Sequence, residues 1–490
     1  MKSKIIYMAT IVFLCIFCVA LHYIYDDLQH NRVHQHQEVA KIDDAWNDNE
    51  AFVTHLPIIS IHTNNQTIPG SPIVNASGET TYELSATGER NIMAEFSVID
   101  NKNNRNCITD TATLTSYANI HYRGNSSRHF DKKSYAIDLV LEDGSNNNQE
   151  LLGMSKHHKW VLNGPFLDRS LIRNYLCMNV AGEIMEYAPR VKYCELYVDN
   201  TYQGVYLLME SIEYGEDRLN LTKTDKNKSY TSFIISQDRL DKSNNFLDNF
   251  TKYTLISDTL AFEVRYPGTN NLTESQKSYI NDEVSKLEKL LYSSDLYKDN
   301  SYMELLDIES FAKYFIINEF FRNIDAGKYS TYYYKDLRGK FKPVVWDFNN
   351  SCNNYMDTEL DGSGFSLPDA PWFTQLLKDK KFVYLVVELY KELRNTYLSN
   401  DYLIQYIEDT DSWLSAATQR NDSLWGYVYD LDNYDEKNYL TPVERNVTSH
   451  EEAISQLKSY IIQRGVWLDA NISSLYQYCA ESKNSNSMIQ

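Results

Sequence analysis

The sequence predicts an α+β protein in two lobes, with a β-rich N-terminal part and a helical C-terminal part. Three observations predict it. Short alternating runs bounded by Gly- and Asn-rich stretches fill residues 56–142. Stretches of helical spacing dominate beyond residue 355. Between them lies a mixed middle of hairpins and single helices, an order that suits a two-lobed enzyme with a helical cap. The 490 residues, 43% hydrophobic with ten prolines, are enough for a sizeable core and point to globular protein.

The elements follow in order. Lys2 and Lys4 precede an apolar run from Ile5 to Leu21 that continues to Tyr25, before Asp26 and Asp27. A segment of about 20 nearly uncharged residues can span a bilayer. Cations before it and acids after it place the large domain outside the cytoplasm. Residues 1–25 therefore read as a single-pass signal anchor, although Cys18-Val19-Ala20 would serve as a cleavage site and make the domain secreted. Residues 26–54 read as a polar stalk, with His30, His34 and His36 on a solvated linker. Residues 55–355 form the core, β-rich to about 145. Its strands are expected at Ile58–Ile61, Met93–Ile99, Ala118–Tyr122 and Ser134–Val140.

Asp168 caps a helix over Leu171–Met185, and Tyr193–Val198 and Tyr202–Met209 pair about Asp199-Asn200. A strand at Thr231–Ser236, a helix over Thr273–Tyr292 and a helix over Ile308–Arg322 lead to Asp325. Tyr332–Lys340 reads as a strand and a tight turn, and Val344–Phe348 as a buried strand containing Asp347. Residues 356–480 complete the same domain, with helices at Lys381–Tyr397, Asp401–Ala417 and His450–Leu475. Residues 481–490 read as a disordered tail.

Composition excludes several classes. A net charge of −20 argues against a nucleic-acid binder. The 39 tyrosines are scattered, which fits packing better than a binding stripe. Of seven cysteines, Cys15 and Cys18 lie in the apolar run. Cys107, Cys177, Cys194, Cys352 and Cys479 are widely spaced, so neither a zinc site nor a disulfide framework is expected, and at least one thiol is left free or intermolecular.

Chemistry concentrates on two acids twenty-two residues apart, Asp325 and Asp347. A helix, an acid, a hairpin and a second acid can bring two carboxylates together, as phosphoryl transfer requires. The chain has no G-x-x-x-x-G-K-[ST] and no G-x-G-x-x-G. The nearest phosphate cradle is the turn Arg123-Gly124-Asn125-Ser126-Ser127, followed by Lys132 and Lys133. A lysine on the strand after such a loop is placed as in protein kinases. Alternation puts Lys133 on the face of Tyr135, Ile137 and Leu139, which favours it over Lys132. Glu183 and Glu210 are the candidate ion-pair partners, and Arg173 could bind an internal carboxylate.

The run Tyr122-Arg123-Gly124-Asn125-Ser126-Ser127 through Lys132-Lys133-Ser134-Tyr135 to Leu139 resembles the CotH family, the spore-coat-protein-H-like atypical kinases. The resemblance continues through Leu151-Leu152-Gly153-Met154, Trp160 to Gly164, Asp168 to Asn174, Glu195 to Glu210, Asp325 and Trp346-Asp347-Phe348. It implies an atypical protein-kinase-like fold and, with the N-terminal anchor read above, a membrane-anchored, extracytoplasmic kinase that passes the ATP γ-phosphoryl to Ser/Thr hydroxyls of a protein. ATP with Mg²⁺ or Mn²⁺ would be the cofactors. Asp325 would face the acceptor hydroxyl, and Asp347 would hold the metal with Asn349 nearby. Ser330 stands where a kinase has its metal-binding Asn, so a second metal site is absent or completed by Asn349 or Asn350. Two other readings keep the family: a cell-surface, adhesin-like interaction protein, and nucleotidyl or phosphoryl transfer to another acceptor.

Overall fold

A computed structural model describes residues 32, 34–40, 52–75, 78, 80–239, 245–253, 260–293, 300–433 and 435–480. The protein is mixed α+β, with a β-rich N-terminal half and a helical C-terminal part. Seven strands close into a barrel: β1 (Ile58–His62), β2 (Ile92–Ile99), β3 (Leu114–Tyr122), β4 (Tyr135–Val140), β5 (Lys159–Asn163), β6 (Val191–Val198) and β7 (Thr201–Glu210). Their order around the barrel is β5-β7-β6-β1-β2-β3-β4, and β4 closes back on β5. Every pairing is antiparallel except β6 with β1. Alternate residues point inward, so Ile59, Ile61, Phe96, Val98, Ile120, Ile137, Trp160 and Leu208 fill the interior.

The expected limit of the β-rich part near residue 145 is too early, because barrel strands continue to Glu210. Local pattern detects each strand, but closure depends on the β6–β7 hairpin inserting between β5 and β1. The hairpin turns at Asp199 and Asn200, both left-handed (φ 47° and 63°), as a two-residue loop of this twist requires.

Helix α1 (Arg173–Ile184) shares the larger core with the outward faces of β6 and β7, through Val191, Tyr193, Val205 and Leu207. A second, four-stranded antiparallel sheet belongs to the same core: β8 (Phe233–Arg239), β9 (Leu260–Tyr266), β10 (Thr331–Lys335) and β11 (Lys342–Val344), in the order β9-β8-β10-β11. Around it lie α2 (Glu274–Leu291), which opens with a Thr273/Gln276 capping box, and α3 (Ile308–Phe320), capped by Asp307. The C-terminal part contains α4 (Lys380–Arg394), α5 (Asn400–Trp425, kinked at Ser415) and α6 (His450–Asn471).

Two buried ion pairs tie the C-terminal helices to the rest. Arg420 of α5 holds Glu195 of the barrel, whose other oxygen accepts from Tyr202. Arg464 of α6 holds Glu319 near the end of α3 at 3.0 Å.

Three expectations need correction or placement. The segment around His34 and His36 is not a solvated linker. Gln35–Glu38 forms a helical turn, and His34 is buried, bonded to Glu183 (2.7 Å) and to Tyr406 (2.9 Å). The expected strand over Val344–Phe348 stops at Val344, and Asp347 takes the left-handed conformation (φ 54°). Val345 and Phe348 are buried as expected, but the Phe348 amide is satisfied by a side chain instead of a strand. The anchor at 1–25, His30 and the tail at 481–490 lie outside the described residues. Among those described, no helix is long and apolar enough to cross a membrane. Cys107, Cys177, Cys194 and Cys352 are buried free thiols, and Cys479 is buried as well.

Candidate active site

The site grows from the end of α3. Glu319 is fixed there by Arg464 and by the Ser366 and Leu367 amides. The chain then reverses through Arg322 (φ 49°) to Asn323 and Asp325, so Asp325 follows the helix by a turn and does not end it. Asn323 stitches the two acid-bearing segments together. Its Nδ2 donates to Asn318 Oδ1 and to the Asp347 carbonyl, each at 3.2 Å.

Both carboxylates are held by amides. Asp325 Oδ2 accepts from Asn350 Nδ2 at 2.8 Å. Asp347 Oδ1 accepts from Asn349 Nδ2 at 2.8 Å and from the Asn349 backbone amide at 3.2 Å. Asn349 is positioned in turn by Asn174 of α1, whose Nδ2 reaches Asn349 Oδ1 at 2.6 Å and Asn163 Oδ1 at 3.2 Å. Asn174 Oδ1 also accepts the Phe348 amide at 2.8 Å.

Burial pushes the Asp347 carboxyl above the ordinary carboxylate range, and the Asp325 charge adds to that shift. The Asn349 hydrogen bonds and Arg123 oppose it. The two acids therefore share one electrostatic site. Among the described residues no three His, Cys, Asp or Glu side chains cluster as metal ligands. Two neighbouring carboxylates, each bonded to an amide N–H through one oxygen, instead suit a hard divalent cation that takes its remaining oxygens from phosphate and water. The residues present fit Mg²⁺ or Mn²⁺ in that mode.

Arg123 approaches from the barrel side, with its guanidinium 5.5 Å from the Trp346 ring centroid. The loop it opens is tight. Gly124 has φ 100°, and a Cβ there would meet Ser127 Oγ at 1.8 Å, so only glycine fits.

The other sequence candidates lie elsewhere. Lys132, not Lys133, is the buried lysine, which reverses the alternation argument. Both residues precede β4, where a period of two does not apply. Lys132 Nζ donates to the Val205 carbonyl and to Asn421 Oδ1, both at 2.7 Å, and burial pulls it down to about 7. Lys133 is half-buried and braces the arginine loop by donating to the Arg128 carbonyl at 2.7 Å. No hydrogen bond or ion pair joins either lysine to Asp325 or Asp347.

Glu183 and Glu210 partner neither lysine. Glu183 binds His34, and Glu210 accepts from the Arg190 amide at 3.0 Å. Ser330 donates its amide to Asp238 Oδ2. Arg173 does bind an internal carboxylate, Asp168, at 2.6 Å.

Sequence reasoning missed Asn174 and Asn323 as positioning residues. Asn174 stands inside the Asp168–Asn174 motif and Asn323 two residues before Asp325, but an amide gives no signal of its partner from spacing alone.

Comparison with known proteins identifies relatives of the chain. Inner spore coat protein H of Bacillus subtilis (strain 168) is 23% identical over 299 residues, covering 59% of this chain and 73% of that protein. Residues 120–468, which contain the arginine loop, the asparagine chain and both acids, match the family described as CotH kinase protein. The chain belongs to the CotH family.

Proposed function

We propose that the protein is a metal-dependent phosphotransferase that passes the γ-phosphoryl of ATP to Ser/Thr hydroxyls of a protein. In this reading the barrel and the helical part are the two lobes of an atypical kinase-like fold. The observation that carries it is the convergence of Asp325 and Asp347, joined through Asn323 and each held by a neighbouring Asn. Asp347, with Asn349 beside it, holds Mg²⁺ or Mn²⁺, which supplies charge neutralisation on the phosphates. Asp325 accepts a hydrogen bond from the incoming hydroxyl and orients it. Asn350 keeps that carboxylate aimed while leaving its second oxygen for the acceptor.

The test is incubation of the purified protein with γ-labelled or α-labelled ATP and either metal. Label on protein from the γ position alone supports the reading. Label from the α position means nucleotidyl transfer, and no transfer of either label sinks the proposal.

The extracytoplasmic placement is likewise proposed, from Lys2 and Lys4 before the apolar run. Protease added to intact cells should degrade the large domain. Protection of the domain in cells with a permeable envelope would overturn the placement.

A further inference from the structure

The turn that carries Asp325 is gripped by three consecutive residues at the end of β8. Residues 325–329 close on themselves, because the Asp325 carbonyl accepts the Lys328 amide at 3.1 Å and the Tyr329 amide at 2.8 Å. Thr331 ties the same turn from behind. Its Oγ1 accepts the Gly327 amide at 2.8 Å and donates to the Tyr329 carbonyl at 3.0 Å. A Cβ at Gly327 (φ 76°) would meet Ala370 Cβ at 2.7 Å, so the turn has no room to back away. Bonded in this way it moves as a unit, and whatever holds its far end also sets the backbone of Asp325.

The β8–β10 ladder ends at the pair Gln237 and Thr331, where Ser330 turns left-handed (φ 48°) and leaves the sheet. Side chains take over there. Gln237 Nε2 donates to the Gly327 carbonyl at 3.3 Å. Asp238 bridges the two segments: its Oδ2 accepts the Ser330 amide at 3.3 Å and its Oδ1 the Arg239 amide at 2.8 Å. The Arg239 guanidinium lies 3.7 Å from the Tyr329 ring centroid. Arg239 stays 51% exposed, so this stacking adds little to the stability of the fold and acts on the turn.

We propose that Gln237, Asp238 and Arg239 are positioning residues that fix the aim of Asp325 at the acceptor hydroxyl. Asn350 orients the carboxylate directly, and the β8 clamp fixes the backbone that carries it. A misplacement of about 1 Å can cost about a hundredfold in rate, so the clamp acts on the transfer step and not on nucleotide binding. This inference rests on the phosphotransferase reading and adds three residues from outside the motifs that led to it.

The experiment measures initial γ-label incorporation into the full-length protein over a range of Mg-ATP, for the wild type, Arg239→Ala, Arg239→Lys and Asp238→Ala. Arg239→Ala should lower the maximal rate at least about tenfold and leave KM for Mg-ATP within about twofold. Arg239→Lys keeps a cation over the ring and should recover part of the loss. Asp238→Ala should repeat the alanine pattern. Amide hydrogen exchange should quicken at Tyr329 and Ser330 in both alanine variants and stay unchanged in the barrel. Thermal unfolding midpoints check folding, and Asp238→Ala carries the test if Arg239→Ala is not folded. A wild-type maximal rate in the folded alanine variants, or a loss explained by a raised KM, overturns the clamp alone. A wild type that transfers no label refutes the phosphotransferase reading and the positioning role with it.

Discussion

Asn174 bonds to both residues that follow Asp347. It takes the buried Phe348 amide on Oδ1 and fixes Asn349 through Nδ2. Asn174→Ala should leave that amide unpaired and cost about 1–3 kcal/mol of stability, read by urea denaturation. It should also weaken metal-dependent nucleotide binding, because Asn349 then no longer aims the Asp347 carboxylate. Wild-type stability and binding in this variant would contradict the role. Asp347 itself sits where folding disfavours its charge, by burial and by the neighbouring Asp325. Asp347→Asn keeps the shape and removes the charge, so it should raise the urea midpoint at pH 7 without metal. A lower midpoint would show that the carboxylate is structurally required. The acids and Arg123 were legible as residues because charge type and order along the chain mark them. Asn349 and Asn350 were legible beside Asp347, but Asn163 and Asn174 were not, since they come to Asn349 from separate elements.

Helix starts and the β6–β7 hairpin were legible because caps and turn chemistry are local. Thr273, Asp307 and Asp199-Asn200 act within a few residues of themselves. The segment Gln35–Glu38 was misread because His, Gln and Glu look like a solvated linker, whereas here His34, Gln35 and the Nδ1 of His36 bond to the core. His36 faces His34, Tyr175, Tyr406 and Asp409, and burial, followed by His34, pulls it down to about 4. A histidine that binds its proton less readily when docked stabilises docking fully above its free value near 6.5. That contribution, on the order of 2 kcal/mol, is lost as pH falls from there towards 4. Limited proteolysis should therefore cut near this segment faster at pH 5 than at pH 7.5, and His36→Phe should abolish the difference. Equal cleavage of the wild type at both pH values would remove the pH effect.

Across the whole molecule, barrel closure and the ion pairs behind it were not readable from the sequence. They depend on contacts such as Arg420 with Glu195, 225 residues apart. That pair is buried, so Arg420→Leu leaves Glu195 uncompensated and should cost about 3–5 kcal/mol. It should also separate melting of the helical part from that of the barrel, seen as two calorimetric transitions in place of one. A single transition with an unshifted midpoint would mean that the pair does not couple them. Asp347 and Asp325 divide one reaction between them in the proposed function, and paired assays of Asp347→Ala and Asp325→Ala separate their parts. Metal-dependent ATP binding and γ-phosphoryl transfer are measured on both, with unfolding midpoints as controls. Asp347→Ala should lose binding and transfer together, whereas Asp325→Ala should keep most of the binding and lose transfer. Full transfer by folded Asp325→Ala would contradict this division.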